Sequence, residues 1–351
     1  MRVAITGGTG FVGAHTVRAV LEAGHEVNLL VRDPGRIETT LAPLGVQGDD
    51  MTVVQGDMVD EAAVGRLVDG ADATIHAAAV VSLEKARGPE VLAANPNGTR
   101  IVVQAALAAG ADPVVYVSST ASLFRRGLTL LHTDLTPAEL TSAYGRSKAL
   151  AEAWVRQRQA EGAPVTITYP AGVVGPPAGP AAGEVSAAVA THLRSGMLPL
   201  PKATWSVVDA RDIAAVHVAC LEAGRGPRRF MCGGNYMSMT ELAAIYRELT
   251  GRRMPTVRAP AAAFRALGRV NDALGRFISI DTIFTGEAMD IFTSWCPTDD
   301  RLTHEELGVE WRDPVDSLRE TIAGLVATGR VSAKQAGVLG LRGHERDPSA
   351  T

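Results

Sequence analysis

Tyr144 and Lys148 stand four residues apart in "SAYGRSKALAE", inside a run whose pattern predicts a long helix over 142–161. At that spacing two helical side chains share a face, one turn apart. A phenol has an ordinary pKa of about 10 and is a poor acid–base group at neutral pH. An ammonium beside it favours the phenolate and brings proton exchange toward the neutral range. The pair suits proton transfer to or from a carbonyl oxygen. Lysine is scarce in this Arg-rich chain, with four lysines and five tyrosines among 351 residues, so the spacing is an uncommon coincidence. The plain alternative is a surface helix pair. Upstream, "VVYVSSTASLF" ends a predicted strand in Ser118, Ser119 and Thr120. Open α/β sheets bind ligands at the carboxyl ends of their strands. Thr120 has the better spacing for holding a substrate oxygen against Tyr144; the alternative is ordinary polar capping of a strand.

Such a group needs a redox partner, and the start of the chain offers a cradle for one. In "AITGGTGFVG" (Ala4 to Gly13), Gly7, Gly10 and Gly13 lie between a predicted strand and a predicted helix. That context fits a dinucleotide-binding turn. Gly7 permits the tight turn, Gly10 opens the backbone to a pyrophosphate, and Gly13 lets the helix approach the strand. The helix N-terminus then presents free donors to the phosphates. A strand–helix turn that binds nothing is the alternative. The next strand ends "LLVRDPGR". Arg32 and Arg36 suit a 2′-phosphate. Asp33 fits the acidic position that reads a ribose 2′-hydroxyl, but it falls one residue late and can instead start the Pro34-Gly35 turn. The expected cofactor is NADP, with NAD as the alternative.

The elements that must position these residues alternate. Strands are predicted at Val3–Ile5, Val27–Val31, Thr52–Val54, Ala73–His76, Val114–Val117 and Val165–Thr168. Helices are predicted at Phe11–Ala23, Asp60–Val68, Gly98–Ala109 and Ser142–Glu161. Strands apolar on both faces, alternating with helices, indicate α/β architecture: a Rossmann-type doubly wound parallel sheet with helices on both sides. The alternation breaks at "YPAGVVGPPAGPAAG" (Tyr169 to Gly183), a Pro- and Gly-rich loop. Trp205–Gly224 reads as a strand and a helix, and Arg228–Gly234 as one more strand, both expected to return to the sheet. The division follows: residues 1–175 with 205–234 as the dinucleotide-binding domain, and 176–204 with 235–330 as a smaller, mostly helical substrate lobe. Residues 335–351 read as a loose tail.

Composition sets outer bounds. The chain is 46% hydrophobic and 21% charged, with 34 Lys+Arg against 38 Asp+Glu and a net charge of −4. That balance gives no reason to expect nucleic acid or an anionic membrane as partner. No apolar run approaches the roughly 18 residues of a membrane-spanning helix. Cys220, Cys232 and Cys296 are few, odd in number and scattered, as free thiols of a reducing compartment are. With no leader pattern at the start, a cytoplasmic protein is expected. Asn97-Gly98-Thr99 matches a glycosylation acceptor by chance. His132, His192, His217 and His304 lack ligand spacing, and no metal is expected. Met231, Met237, Met239 and Met289 either line an apolar pocket or fill core gaps.

Taken in order, the series "TGGTGFVG", "GDMVD", "HAAA", "NPNGT", "SST", "YGRSK" and "YPAGVVGP" resembles the extended short-chain dehydrogenase/reductases, including the NAD(P)-dependent epimerase/dehydratase group, over about residues 2–330. "LVRDP" and "RRFMCGGNYMSMTELAAIYRELTGRRMP" look most like the dihydroflavonol-4-reductase-like branch, which reduces ketones or aldehydes with NADPH. The resemblance implies that Thr9, Phe11 and Val12 join the glycines at the cofactor. It implies that Asp57 and Met58 flank the adenine and that Ala77, Ala78 and Ala79 line the cofactor. Pro170 and Val173 would contact the nicotinamide. Thr120, Tyr144 and Lys148 would be the catalytic group, with Lys148 also bonding the nicotinamide ribose and Asn95 holding the active-site helix and a relay water. Thr in the first of these positions is a tolerated replacement for Ser. There are departures: His76 replaces a small or polar residue, Tyr169 stands where Arg is common, and Ala171 stands where sugar-nucleotide epimerases carry Asn. Ala121-Ser122 replace the Asp-Glu pair of dehydratases, which argues against elimination. The expectation is an NADP-dependent oxidoreductase acting on a small-molecule carbonyl or alcohol, with a homodimer through the 142–161 helix. The alternatives are an NAD-dependent nucleotide-sugar epimerase, a 3β-hydroxysteroid-type dehydrogenase, or a cofactor-sensing regulator. The retained Tyr-x-x-x-Lys pair speaks against the regulator.

Overall fold

Short runs of apolar and β-branched residues, each followed by a helix with one apolar face, build the first half of the chain. The computed structural model describes residues 1–81, 87–140, 142–181, 183–274 and 286–340. In order come β1 (Arg2–Thr6), α1 (Phe11–Glu22), β2 (Glu26–Val31), α2 (Gly35–Leu41), β3 (Thr52–Gln55), α3 (Glu61–Val68), β4 (Ala73–His76), α4 (Gly88–Ala108), β5 (Val114–Val117), α5 (Ala143–Ala160) and β6 (Val165–Pro170). The neighbouring strands pair in parallel, and β4, β5 and β6 are buried along their whole length. Parallel strands covered on both faces read as continuous apolar runs, so their pattern is strong.

Two elements depart from the sequence reading. α4 begins at Gly88, not Gly98, and runs through Pro96. Burial of Val91 and Asn95 outweighs the backbone donor lost at the proline. α2 was not expected. Its start is set by Asp33, whose side chain accepts from the Gly35 N–H at 3.0 Å, and Ile37, Thr40 and Leu41 are its buried face.

The second half contributes β7 (Gly172–Val174), α6 (Glu184–Ser195), β8 (Leu198–Pro199), β9 (Thr204–Asp209), α7 (Ala210–Ala219), β10 (Arg228–Cys232), β11 (Asn235–Ser238), α8 (Met239–Thr250), β12 (Thr256–Val257), α9 (Ala261–Leu274), α10 (Gly286–Ser294), α11 (Arg301–Leu307), α12 (Pro314–Ala327) and α13 (Ala333–Ala336). The main sheet has seven strands, ordered β10-β6-β5-β4-β1-β2-β3. The 205–234 segment therefore splits, contrary to expectation. β10 completes the main sheet, and α7 lies on α1, where Thr16 Oγ1 and His217 Nδ1 are 2.9 Å apart. β9 instead joins β7 and β11 in a separate three-stranded sheet. The edge beside β6 is already taken by β10, and the chain leaves it after Ala171, whose N–H still bonds the Cys232 carbonyl. Part of the expected 169–183 loop is thus strand.

The substrate lobe has its own core, with Val189, Leu193, Leu242, Tyr246, Leu318 and Ile322 buried together. The expected tail is part of it as far as residue 340. α13 is capped by Ser332 and Gln335, Ala336 is buried, and Arg252 bonds the Leu193 and Gln335 carbonyls. The remainder, 341–351, lies outside the described residues. Met231, Met237 and Met239 are core residues, and the three cysteines are buried free thiols. Burial pushes the Cys220 thiol up to about 12. Among the described residues no group of side chains could hold a metal ion, and no helix is long and apolar enough to cross a membrane.

Candidate active site

The glycine turn is as crowded as its function requires. Gly7 sits at φ +81°, where a Cβ would stand 2.6 Å from the Ala78 nitrogen. A Cβ on Gly13 would stand 2.1 Å from the Gly7 carbonyl oxygen. Gly10 precedes α1 with no side-chain cap, so the first N–H groups of the helix are left for a ligand. These features fit a dinucleotide pyrophosphate: no side chain can enter the turn, and donors and helix dipole both face it. The turn opens into a cleft of about 1240 Å³ that every cofactor and catalytic residue expected from the sequence borders, except Asn95.

Beneath the turn is His76. Its Nδ1 lies 2.7 Å from Thr6 Oγ1 and its Nε2 3.1 Å from Thr99 Oγ1, so it ties β1 and β4 to α4. Burial lowers His76 and His217 to about 3, and His192 to about 4, from an ordinary 6.5. Between those values the unfolded chain binds more protons than the folded one. The stability these groups permit is complete above 6.5 and is lost as pH falls toward 3. The expected slope is roughly 1 kcal/mol or more per pH unit for each histidine. Urea midpoints at graded pH will measure it; a flat profile from pH 6.5 to 4 refutes the neutral-imidazole reading.

At the end of β2, Arg32 is exposed and lies 3.9 Å from Asp57. Arg36, in the first turn of α2, reaches the Thr9 carbonyl at 3.3 Å. Both arginines border the cleft, whereas Asp33, with its carboxylate engaged in the Gly35 turn, does not. Met58 is buried against α4, where a Cβ on Gly98 would be 2.7 Å from Met58 Cγ.

The candidate reacting groups come from the turn after β5 and from α5. Thr120 follows β5 in a short 3₁₀ turn, and its hydroxyl donates to the Pro170 carbonyl at 3.1 Å. Ser142 caps α5, placing Tyr144 in the first turn and Lys148 one turn on. Lys148 is buried; its Nζ donates to the Val117 carbonyl at 2.9 Å and lies 5.4 Å from the Tyr116 ring centre. Burial lowers the ammonium to about 8, and the Glu152 carboxylate works in the opposite direction. Asn95 lies off the cleft. Its Nδ2 donates to the Val80 carbonyl at 3.0 Å and to Ser147 Oγ at 2.9 Å, and its Oδ1 accepts from the Val80 N–H. Ser147 in turn donates to the Tyr144 carbonyl at 2.8 Å. Asn95 thus ties α4 to the turn that carries Tyr144.

Glu152 is the residue the sequence reading missed. It is fully buried behind Lys148 and accepts from Ser118 at 2.8 Å, from Tyr169 at 2.9 Å and from Ser122, and it pairs with Arg156 at 2.7 Å. Its signal was the four-residue spacing Tyr144, Lys148, Glu152, Arg156, one stripe along a helix. The unusual Tyr169 belongs to this cluster.

Past Tyr144 the cleft runs under the lobe and is walled by Trp205, Phe264, Met289, Phe292 and Trp295. The Trp295 indole N–H is already satisfied by Ser206 Oγ at 2.9 Å. His192 faces this space as a neutral ring, with Nδ1 3.4 Å from the Tyr246 hydroxyl. Among the described residues, no Lys or Arg of the lobe borders it.

A glycine turn, a β2 rim and a Tyr–Lys helix around one cleft define an NAD(P)-dependent oxidoreductase of the Rossmann class. The chain belongs to the NAD dependent epimerase/dehydratase family, whose family model matches residues 3–233. Within it the chain is an extended short-chain dehydrogenase/reductase of the dihydroflavonol-reductase-like branch. It is 28% identical over 282 residues to Sterol demethylase protein B of Methylococcus capsulatus, covering 79% of this chain and 83% of that one. It is 30% identical over 268 residues to a putative dihydroflavonol 4-reductase of Synechocystis sp., covering 73% and 74%. In fold it is similar to a UDP-glucose-4-epimerase from Stenotrophomonas maltophila with bound NAD, at a TM-score of 0.72 and 20% identity over 94% of this chain and 99% of that one.

Proposed function

We propose that the protein is an NADP(H)-dependent oxidoreductase that interconverts a ketone or aldehyde and the corresponding alcohol on a bulky apolar substrate. The observation that carries this reading is the aromatic half of the cleft, which adjoins Tyr144 and Lys148 and, among the described residues, has no lobe cation to meet a nucleotide diphosphate. The same observation speaks against a nucleotide-sugar epimerase. The names of the relatives, a sterol demethylase protein and a putative dihydroflavonol reductase, agree with a ring-containing substrate.

The α1 N-terminus and glycine turn would hold the pyrophosphate, Arg32 and Arg36 the 2′-phosphate, and Pro170 and Val173 the nicotinamide side. When bound, the nicotinamide supplies or accepts hydride. Tyr144 gives the proton to the carbonyl oxygen, or takes it from the alcohol. Lys148, anchored on the Val117 carbonyl, keeps a positive charge one turn away and so favours the phenolate. Thr120 offers a second hydroxyl to the same oxygen, and the aromatic walls keep water from it.

Thermal-shift titration with NADPH and NADH is the first test, because a ligand specific for the folded state raises its apparent stability. NADPH is expected to bind the tighter. In Arg32→Ala/Arg36→Ala its affinity falls by roughly 10- to 100-fold, while NADH binding changes by less than about threefold. Equal loss for both cofactors overturns the 2′-phosphate role. NADPH oxidation is then followed with multi-ring ketones, and conversion of UDP-glucose to its 4-epimer is followed separately by product analysis; turnover of the nucleotide sugar alone defeats the substrate reading.

A further inference from the structure

The charge of this protein is unevenly placed. Between Gly251 and Leu274, the end of α9, stand five arginines and one acid, Asp272, in a chain whose net charge is −4. Arg252 is engaged with the Leu193 and Gln335 carbonyls, and Arg265 with Thr293 and Asp290. The other three, Arg253, Arg258 and Arg269, are exposed.

The helix among them, α9, is apolar on both sides. Phe264 faces the cleft. An exposed arc runs on from Phe264 round the helix, with Leu267 one turn away on the same side and then Ala263, Val270, Ala266 and Ala262, all exposed, with Leu267 and Val270 each at 54%. Just before α9, Val257 of β12 is 42% exposed, and Met197, which precedes the paired strand β8, is 46% exposed. Both border the cleft. An apolar helix face, a basic rim and the lip of an apolar cleft therefore occur together.

We infer that the outer face of α9 docks on an anionic lipid bilayer, with Leu267 and Val270 in the acyl boundary and Arg253, Arg258 and Arg269 on headgroup phosphates. This is the composition of a helix that lies in a membrane interface without crossing it. A second copy of the chain fits less well. A two-fold contact through the same face would set each arginine rim against its own image. Docking there puts the lip of the apolar cleft against the phase in which an apolar substrate dissolves.

Vesicle flotation of the full chain tests this without reference to the reaction. The vesicles are phosphatidylcholine alone, and phosphatidylcholine mixed with phosphatidylglycerol. The expected bound fraction is roughly tenfold higher on the anionic vesicles and falls in high salt. Leu267→Asp/Val270→Asp is expected to abolish binding while leaving the melting temperature and NADPH binding unchanged, since both side chains already face solvent. Arg253→Ser/Arg258→Ser/Arg269→Ser is expected to remove the preference for anionic vesicles. Absence of wild-type binding to either vesicle, or binding that both variants retain, overturns the inference. A dimer that Leu267→Asp/Val270→Asp dissociates assigns the face to a second copy and overturns it as well.

Discussion

Tyr144→Phe is expected to lower turnover by roughly 10²- to 10⁴-fold while leaving NADPH affinity within about twofold, the signature of a lost proton donor with its surroundings intact. The substitution removes one oxygen and keeps the ring. The first turn of α5 keeps its cap from Ser142 and its tie from Ser147 to Asn95, because both contacts use backbone or neighbouring atoms. Single-turnover NADPH oxidation, with cofactor affinity measured separately, decides the matter. Activity above about a tenth of wild type would remove Tyr144 from the chemistry. A collapse of cofactor affinity would show that the hydroxyl serves binding instead.

Glu152→Ala is expected to destabilise the fold by about 3–5 kcal/mol, the usual loss when one partner of a buried ion pair is removed. Three hydroxyl donors, from Ser118, Ser122 and Tyr169, would lose their acceptor, and Arg156 would lose its carboxylate. Glu152→Gln keeps an oxygen acceptor and is expected to cost less. Glu152→Ala/Arg156→Ala is expected to cost less than the sum of its parts, since the second change removes the guanidinium stranded by the first. Urea denaturation of five proteins, wild type, Glu152→Ala, Glu152→Gln, Arg156→Ala and the double variant, measures all of these; a Glu152→Ala loss below about 1 kcal/mol contradicts the network. The same carboxylate raises Lys148 against the effect of burial. In Glu152→Gln the ammonium therefore loses its proton at lower pH, and the alkaline limb of the activity profile moves down with it.

The dinucleotide half was legible because its signals are local. β1, the glycine turn and α1 follow within the first 22 residues, and Asp33 announces its turn through Pro34-Gly35. β9 was readable as a strand but not as a member of the smaller sheet, because an apolar run says nothing about which edge is vacant. The helix expected from Gly98 begins at Gly88 and runs through Pro96, with Val91 and Asn95 buried in its first turns. The substrate half was least legible. Trp205, Phe264, Phe292 and Trp295 meet from β9, α9, α10 and the residue after α10, and no periodicity links residues so far apart. Glu152 lay in plain view on a helix already singled out, yet its hydroxyl partners come from the residue after β5, the 3₁₀ turn that follows and β6, which only the folded chain brings together.

Pro170 closes one sheet and Gly172 opens the other, so at this crossing a single residue, Ala171, separates them; the chain crosses again between β9 and β10 and between β10 and β11. A joint that short has no slack. For protein engineering this makes the two halves poor modules: a lobe grafted from a relative at Ala171 would carry its own angle of departure into Pro170 and alter the wall proposed for the nicotinamide. The same joint favours crossovers elsewhere. Exchanging β8–β12 and α9, which lie outside the main sheet, would alter the pocket lip.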